Sequence, residues 1–129
     1  MNERIDLPSV EALAFLGDAV HSLYIRERLV RQGIPKSGEL NRQTQTYITA
    51  TAQARLAEKC KPYFTELEAD VFRRGANHKH LQTPKHTSGA DYRAATGFEC
   101  VLGMHYYLGN YERIDALLSM EGQSDDTEN

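Results

Sequence analysis

The chain has 129 residues, 40% of them hydrophobic, and a formal charge of −3. That is apolar material for one domain with one core, and no run approaches the roughly 20 apolar residues that a membrane span needs. The start, MNERIDLPSVEAL, carries acids and no cationic lead into an apolar block, so no secretory signal is expected, and Cys60 and Cys100, far apart in sequence, are expected as buried thiols in a reducing compartment.

Pro8-Ser9 opens the first helix, with Ser9 as N-cap and Glu11 in the favourable first turn. Leu13, Leu16, Val20 and Leu23 recur at helical spacing, and Ile25 and Leu29 extend the apolar content to a stop at Gly33-Ile34-Pro35. The chain restarts near Ser37, and Ile48–Cys60 is strongly helix-forming. Pro62 marks the next start, with Phe64, Leu67, Val71 and Phe72 as an amphipathic face closed by Gly75. Residues 75–90 have neither helical nor strand periodicity, and a loop of that length in a compact domain is expected to be functional or mobile. Phe98, Val101, Leu102 and His105 mark a further helix ending near Gly109-Asn110. Ile114, Leu117 and Leu118 mark a short last one. Strand patterns are absent, so the fold class is all-α.

The charge is unevenly spread. Glu121, Asp125, Asp126 and Glu128 crowd the final nine residues, which read as a disordered acidic tail (121–129) after a folded unit over 1–120. Between Arg73 and Arg93, by contrast, five basic residues (Arg73, Arg74, Lys79, Lys85 and Arg93) face a single acid, Asp91. A basic segment on a near-neutral body is a candidate phosphate-contacting surface.

Two acids stand out by their surroundings. Asp18 lies inside LAFLGDAVHSLYI and Glu99 inside AATGFECVLGMHYYLG. Burying an unpaired carboxylate costs several kcal/mol, so each needs a cation or strong donors. Composition leaves two solutions open: an internal ion pair with an arginine such as Arg55 or Arg93, or a shared metal ion. Magnesium keeps several waters, so one or two carboxylates can hold it. Gly17, Gly97 and Gly103 beside these acids point to close helix packing or close substrate approach.

EALAFLGDAV (Glu11–Val20) resembles the ribonuclease III signature, in which a helix carries E-x-L-E-F-L-G-D-A-V. ATGFECVLG (Ala95–Gly103) resembles that family's second acidic motif, A-D-V-F-E-A-L-x-G, in the same order and at a matching separation. RRGANHK and TPKHTSGADYR are similar to the loop of the compact Mini-ribonuclease III branch, which has the catalytic domain and no appended double-stranded-RNA-binding domain. The resemblance covers Val10 to Leu108.

It implies a helical ribonuclease III-type domain that forms a homodimer with the FLGD helices near the two-fold axis. It implies a cytoplasmic, magnesium-dependent (Mg2+) endoribonuclease, with no small-molecule cofactor and no membrane partner. Such an enzyme cuts double-stranded RNA to 5′-phosphate and 3′-hydroxyl ends and matures precursor 23S ribosomal RNA. Asp18 and Glu99 would hold the metal and carry catalysis, and Arg73, Arg74, Lys79, Lys85 and Arg93 would touch RNA. The family pattern has four acids, and here Ala14 and Thr96 stand at two of those positions. Glu11 does not replace them: it lies about 10.5 Å from Asp18 along a helix rising 1.5 Å per residue, against metal–oxygen bonds of about 2.1 Å. The alternative function is a non-catalytic RNA- or ribosome-binding module on the same scaffold. A zinc site at His78, His80 and His86 lacks a matching cysteine pair or carboxylate.

Overall fold

The computed structural model describes residues 6–78 and 87–122, and among them every regular element is helical. Six α-helices follow in order: α1 (Val10–Arg31), α2 (Ser37–Ile48), α3 (Ala50–Cys60), α4 (Glu66–Ala76), α5 (Gly89–Leu108) and α6 (Tyr111–Leu118). Short 3₁₀ turns at Lys61–Tyr63 and Ser119–Gly122 follow α3 and α6. Among the described residues no helix is long and apolar enough to cross a membrane.

α5 is the central post. Ala95 to Phe98 and Cys100 to His105 are all buried, so this helix is enclosed on nearly every side, as a helix apolar around its whole circumference must be. α1, α3, α4 and α6 pack around it. Phe98, Val101, Leu102 and Met104 meet Leu13 and Val20 of α1, Leu56 and Cys60 of α3, and Ile114 and Leu117 of α6 in one core.

The α1–α5 crossing is unusually close. A Cβ placed on Gly17 would lie 1.7 Å from the Glu99 carbonyl oxygen, and one on Gly103 would lie 2.0 Å from the Leu13 carbonyl oxygen. The two backbones therefore touch where 13 faces 103 and 17 faces 99. Only glycine admits that approach.

A buried polar knot fastens α4 to α5 and α6. Thr65 caps α4 in a reciprocal capping box with Glu68. Glu68 then accepts from Arg113 Nε at 2.6 Å and Nη2 at 2.8 Å, and pairs with His105 Nε2 at 2.6 Å. Burial pushes the Glu68 carboxyl up, but the Arg113, Thr65 and His105 bonds outweigh it and hold the group at about 2. Removing one partner from such a buried set costs about 3–5 kcal/mol, because the other charges stay buried.

Several sequence expectations need correction. The segment Ile48–Cys60 is not one helix: Thr49 is extended and caps α3 by accepting from the Ala52 N–H at 3.1 Å. Pro62 sits in the 3₁₀ turn, and α4 starts at Glu66, where the Thr65 capping box dictates. Leu23 does not face the core and is 55% exposed. Glu121 is not tail-like: the 3₁₀ turn carries it back to Arg28, 2.8 Å away. Cys60 and Cys100 are buried free thiols, each pushed up to about 12 by burial. Residues 79–86 and 123–129, which include Lys79, Lys85, His80, His86 and most of the expected tail, lie outside the described residues.

Candidate active site

The glycine crossing sets the site. Asp18 follows Gly17 on α1, and Gly17 rests on the backbone of Glu99 itself, so the contact that lets the helices touch also brings the two acids side by side. Asp18 is exposed, while Glu99 is partly buried. The expectation that both are buried in apolar surroundings therefore holds only for Glu99.

Burial first, and then the adjacent Asp18 carboxylate, push the Glu99 carboxyl up to about 8, with a partial offset from the Gln53 amide of α3. No basic side chain among the described residues acts on it. The arginine solution is thus not the one adopted. Arg55 lines a separate hollow with Glu58 and Asp91, and Arg93 folds over Gly89.

The pair opens into a cleft of about 400 Å³ lined by Val10, Glu11, Ala14, Phe15, Asp18, Gly75, His78, Tyr92, Thr96 and Glu99. Ala14 and Thr96 sit in this wall, one turn from Asp18 and Glu99 respectively. Neither supplies a carboxylate, and the Thr96 hydroxyl donates to the Tyr92 carbonyl at 2.9 Å. Glu11 lines the same cleft two turns before Asp18 and faces His78 Nε2 at 3.4 Å, which ties the start of α1 to the end of α4. Among the described residues no group of three or more His, Cys, Asp and Glu side chains is arranged to hold a metal. These residues therefore do not offer an all-protein cage. They do offer a two-carboxylate site in which no described basic side chain acts on Glu99, which fits a divalent ion that retains its waters.

The Ribonuclease III domain profile matches residues 11–110, spanning both acids and the cleft. The chain belongs to the ribonuclease III domain family. The Mini-ribonuclease 3 of Symbiobacterium thermophilum is 42% identical over 82% of this chain and 82% of its own length. That of Streptococcus pneumoniae is 39% identical over 84% and 86%. A crystal structure of a Fusobacterium nucleatum protein superposes with a TM-score of 0.79 at 28% identity, covering 87% of this chain and 89% of that one. With the family comes the reaction class, endoribonuclease.

Of the expected RNA contacts, Arg73, Arg74 and Arg93 are exposed. Arg73 and Arg74 lie on the last turns of α4 beside Gly75 of the cleft, and both reach Asp70, at 2.5 and 3.4 Å. Arg93 lies on the first turns of α5, between Tyr92 and Thr96 of the cleft wall. Sequence reasoning missed Gln53. Its signal was an amide on the otherwise small, apolar buried face of α3 formed by Ala54, Leu56, Ala57 and Cys60.

Proposed function

We propose that the protein cleaves double-stranded RNA with magnesium, acts as a homodimer, and matures precursor 23S ribosomal RNA in the cytoplasm. The observation that carries this reading is the Asp18–Glu99 pair: two carboxylates packed together at a cleft, with no basic side chain among the described residues acting on Glu99. Like-charged neighbours in low dielectric resist ionising together, and a divalent cation relieves that conflict. When bound, the ion supplies an acidified water and neutralises the charge that builds on the scissile phosphate.

The side chains divide the remaining work. Asp18, at the solvent edge, would hold the ion together with Glu99 on the α5 side. Ala14 and Thr96 would add no carboxylate to it. Arg73 and Arg74 on one flank and Arg93 on the other bind phosphates, and the basic Lys79 and Lys85 are assigned the same task from the sequence. A-form duplexes are recognised mainly by shape, phosphates and 2′-hydroxyls, so helix geometry governs cutting more than base sequence does.

The dimer reading rests on α1. Phe15 (83% exposed), Leu23 (55%) and Val30 (61%) project from this helix, with the exposed Ala12 one turn before Phe15 and Ala19 between Phe15 and Leu23. A second copy would bury this stripe at a gain of about 25 cal/mol per Å² of apolar surface. Phe15 also borders the cleft, so dimerisation through α1 places two clefts near one duplex, one for each strand.

The test is direct. Purified protein is incubated with a long RNA duplex, and with the separated strands, in magnesium or in chelator. The expected result is shortening of the duplex in magnesium alone, with 5′-phosphate ends. A duplex that is bound but stays whole in magnesium would support the non-catalytic binding module instead.

A further inference from the structure

Buried polar groups that neither line the cleft nor belong to the apolar core form a chain between α3, α1 and the turn after α6. Gln53 is 2% exposed, and its Nε2 lies 2.9 Å from His21 Nδ1. His21 is 0% exposed, with its ring set edge-on against Phe98, the neighbour of Glu99. An amide nitrogen only donates, so His21 Nδ1 accepts and the ring proton of the neutral imidazole sits on Nε2. That nitrogen faces Glu121 Oε2 at 3.6 Å, an electrostatic contact just beyond hydrogen-bond reach, and neither atom has a hydrogen-bond partner among the described residues. The second Glu121 oxygen accepts from Arg28 Nη2 at 2.8 Å. At the inner end, the Gln53 amide acts on the Glu99 carboxyl and favours its anion.

An amide and an imidazole buried this deeply are expensive unless each is held by a partner, and here each holds the next. We propose that Gln53 is a positioning residue for Glu99, oriented by His21, which Glu121 and Arg28 fix in turn, so that the turn after α6 helps to set the geometry of the metal-holding carboxylate. One hydrogen of the Gln53 amide goes to His21, and the second is left to serve Glu99. The first bond decides where the second points. This inference rests on the reading of Asp18 and Glu99 as the metal-holding pair. It adds that the site has a supporting layer reaching through α3 and α1 to the C-terminal turn.

The experiment measures Mn2+ binding to RNA-free protein by electron paramagnetic resonance, alongside the magnesium dependence, kcat and KM of duplex cutting. Gln53→Met keeps the length and removes the donor. It is expected to weaken Mn2+ binding and raise the magnesium requirement by about 10-fold or more, the usual cost of losing an outer-layer partner, with KM for the duplex unchanged. Glu121→Ala is expected to move the same readouts in the same direction by less, and Glu121→Gln, which retains an acceptor for His21, to restore them. The proposal is overturned if a folded Gln53→Met protein binds Mn2+ as the wild type does. Should that variant not fold, it is overturned if Glu121→Ala changes only the melting temperature. Asp18→Asn separates the two layers of the reading. Loss of Mn2+ binding in Asp18→Asn but not in Gln53→Met sinks the positioning role alone, whereas unchanged binding in Asp18→Asn sinks the metal site itself.

Discussion

Asp18→Asn is expected to leave the protein folded and to stop it cutting. Asp18 is exposed at the cleft edge and makes no core contact, so an isosteric amide there disturbs no packing. The change also removes the charge that, after burial, does most to keep Glu99 protonated. The folded state is therefore expected to be at least as stable as the wild type, because active sites hold like charges together at a cost in stability. Function moves the other way. An amide is a poor ligand for magnesium, and the charge stabilisation that the ion gives a phosphate is worth several kcal/mol. At about 1.4 kcal/mol per factor of ten, that is a fall of about 1,000-fold in cutting rate. Gel-based cleavage, thermal melting and duplex binding together decide it. Binding and melting should stay near wild type while cleavage disappears, and a variant that cuts at the normal rate removes Asp18 from the reaction.

The second large effect comes from the crossing. Gly17→Ala sets a methyl 1.7 Å from the Glu99 carbonyl oxygen, and Gly103→Ala sets one 2.0 Å from the Leu13 carbonyl oxygen. Both obstacles are backbone in the middle of helices, so neither can swing aside, and α1 and α5 must separate. Alanine is a better helix former than glycine by about 1 kcal/mol, but overpacking a core typically costs about 1–3 kcal/mol and more where rigid elements must move. Both variants are expected to lose about 2 kcal/mol or more net in urea denaturation, and Gly17→Ala to lose cutting as well, since Asp18 moves off Glu99. Gly38 in α2 is the control. A Cβ there meets nothing within 4 Å, and Gly38→Ala should stabilise by about 0.5–1 kcal/mol.

Much of this fold was legible in the residues because its signals are local. Ser9 as a cap, the stop at Gly33, and the apolar run through Phe98, Val101 and Leu102 each act within a turn or two of themselves. The errors came where two local signals competed. Thr49 reads as one more residue of an alanine-rich helix, yet its hydroxyl caps a new one. Pro62 reads as a helix start, but the Thr65–Glu68 capping box three residues on is the stronger signal. The two acids were conspicuous because charge is rare in such company, and the glycines around them hinted at why they meet. Leu23 and Glu121 could not be placed from the sequence alone. Whether a leucine at a helical position faces the core or a further surface, and whether an acidic residue near the end folds back onto an arginine, depends on contacts between distant segments. Gln53 was invisible for the same reason: its importance comes from His21 and Glu99, 32 and 46 positions away.

The closeness of Asp18 and Glu99 is measured most directly by titrating the Glu99 carboxyl with carbon-13 NMR, without and with magnesium. Its folded pKa lies above the unfolded value near 4.5. Protonation therefore favours the fold: this contribution is complete below about 4.5 and is lost as the pH rises through about 8. The expected result is a midpoint near 8 in metal-free protein, a clear downward shift when magnesium is added, and a downward shift in Asp18→Asn that magnesium barely extends. A Glu99 that titrates like an ordinary glutamate, indifferent to both Asp18 and magnesium, would mean that the two acids do not share an ion.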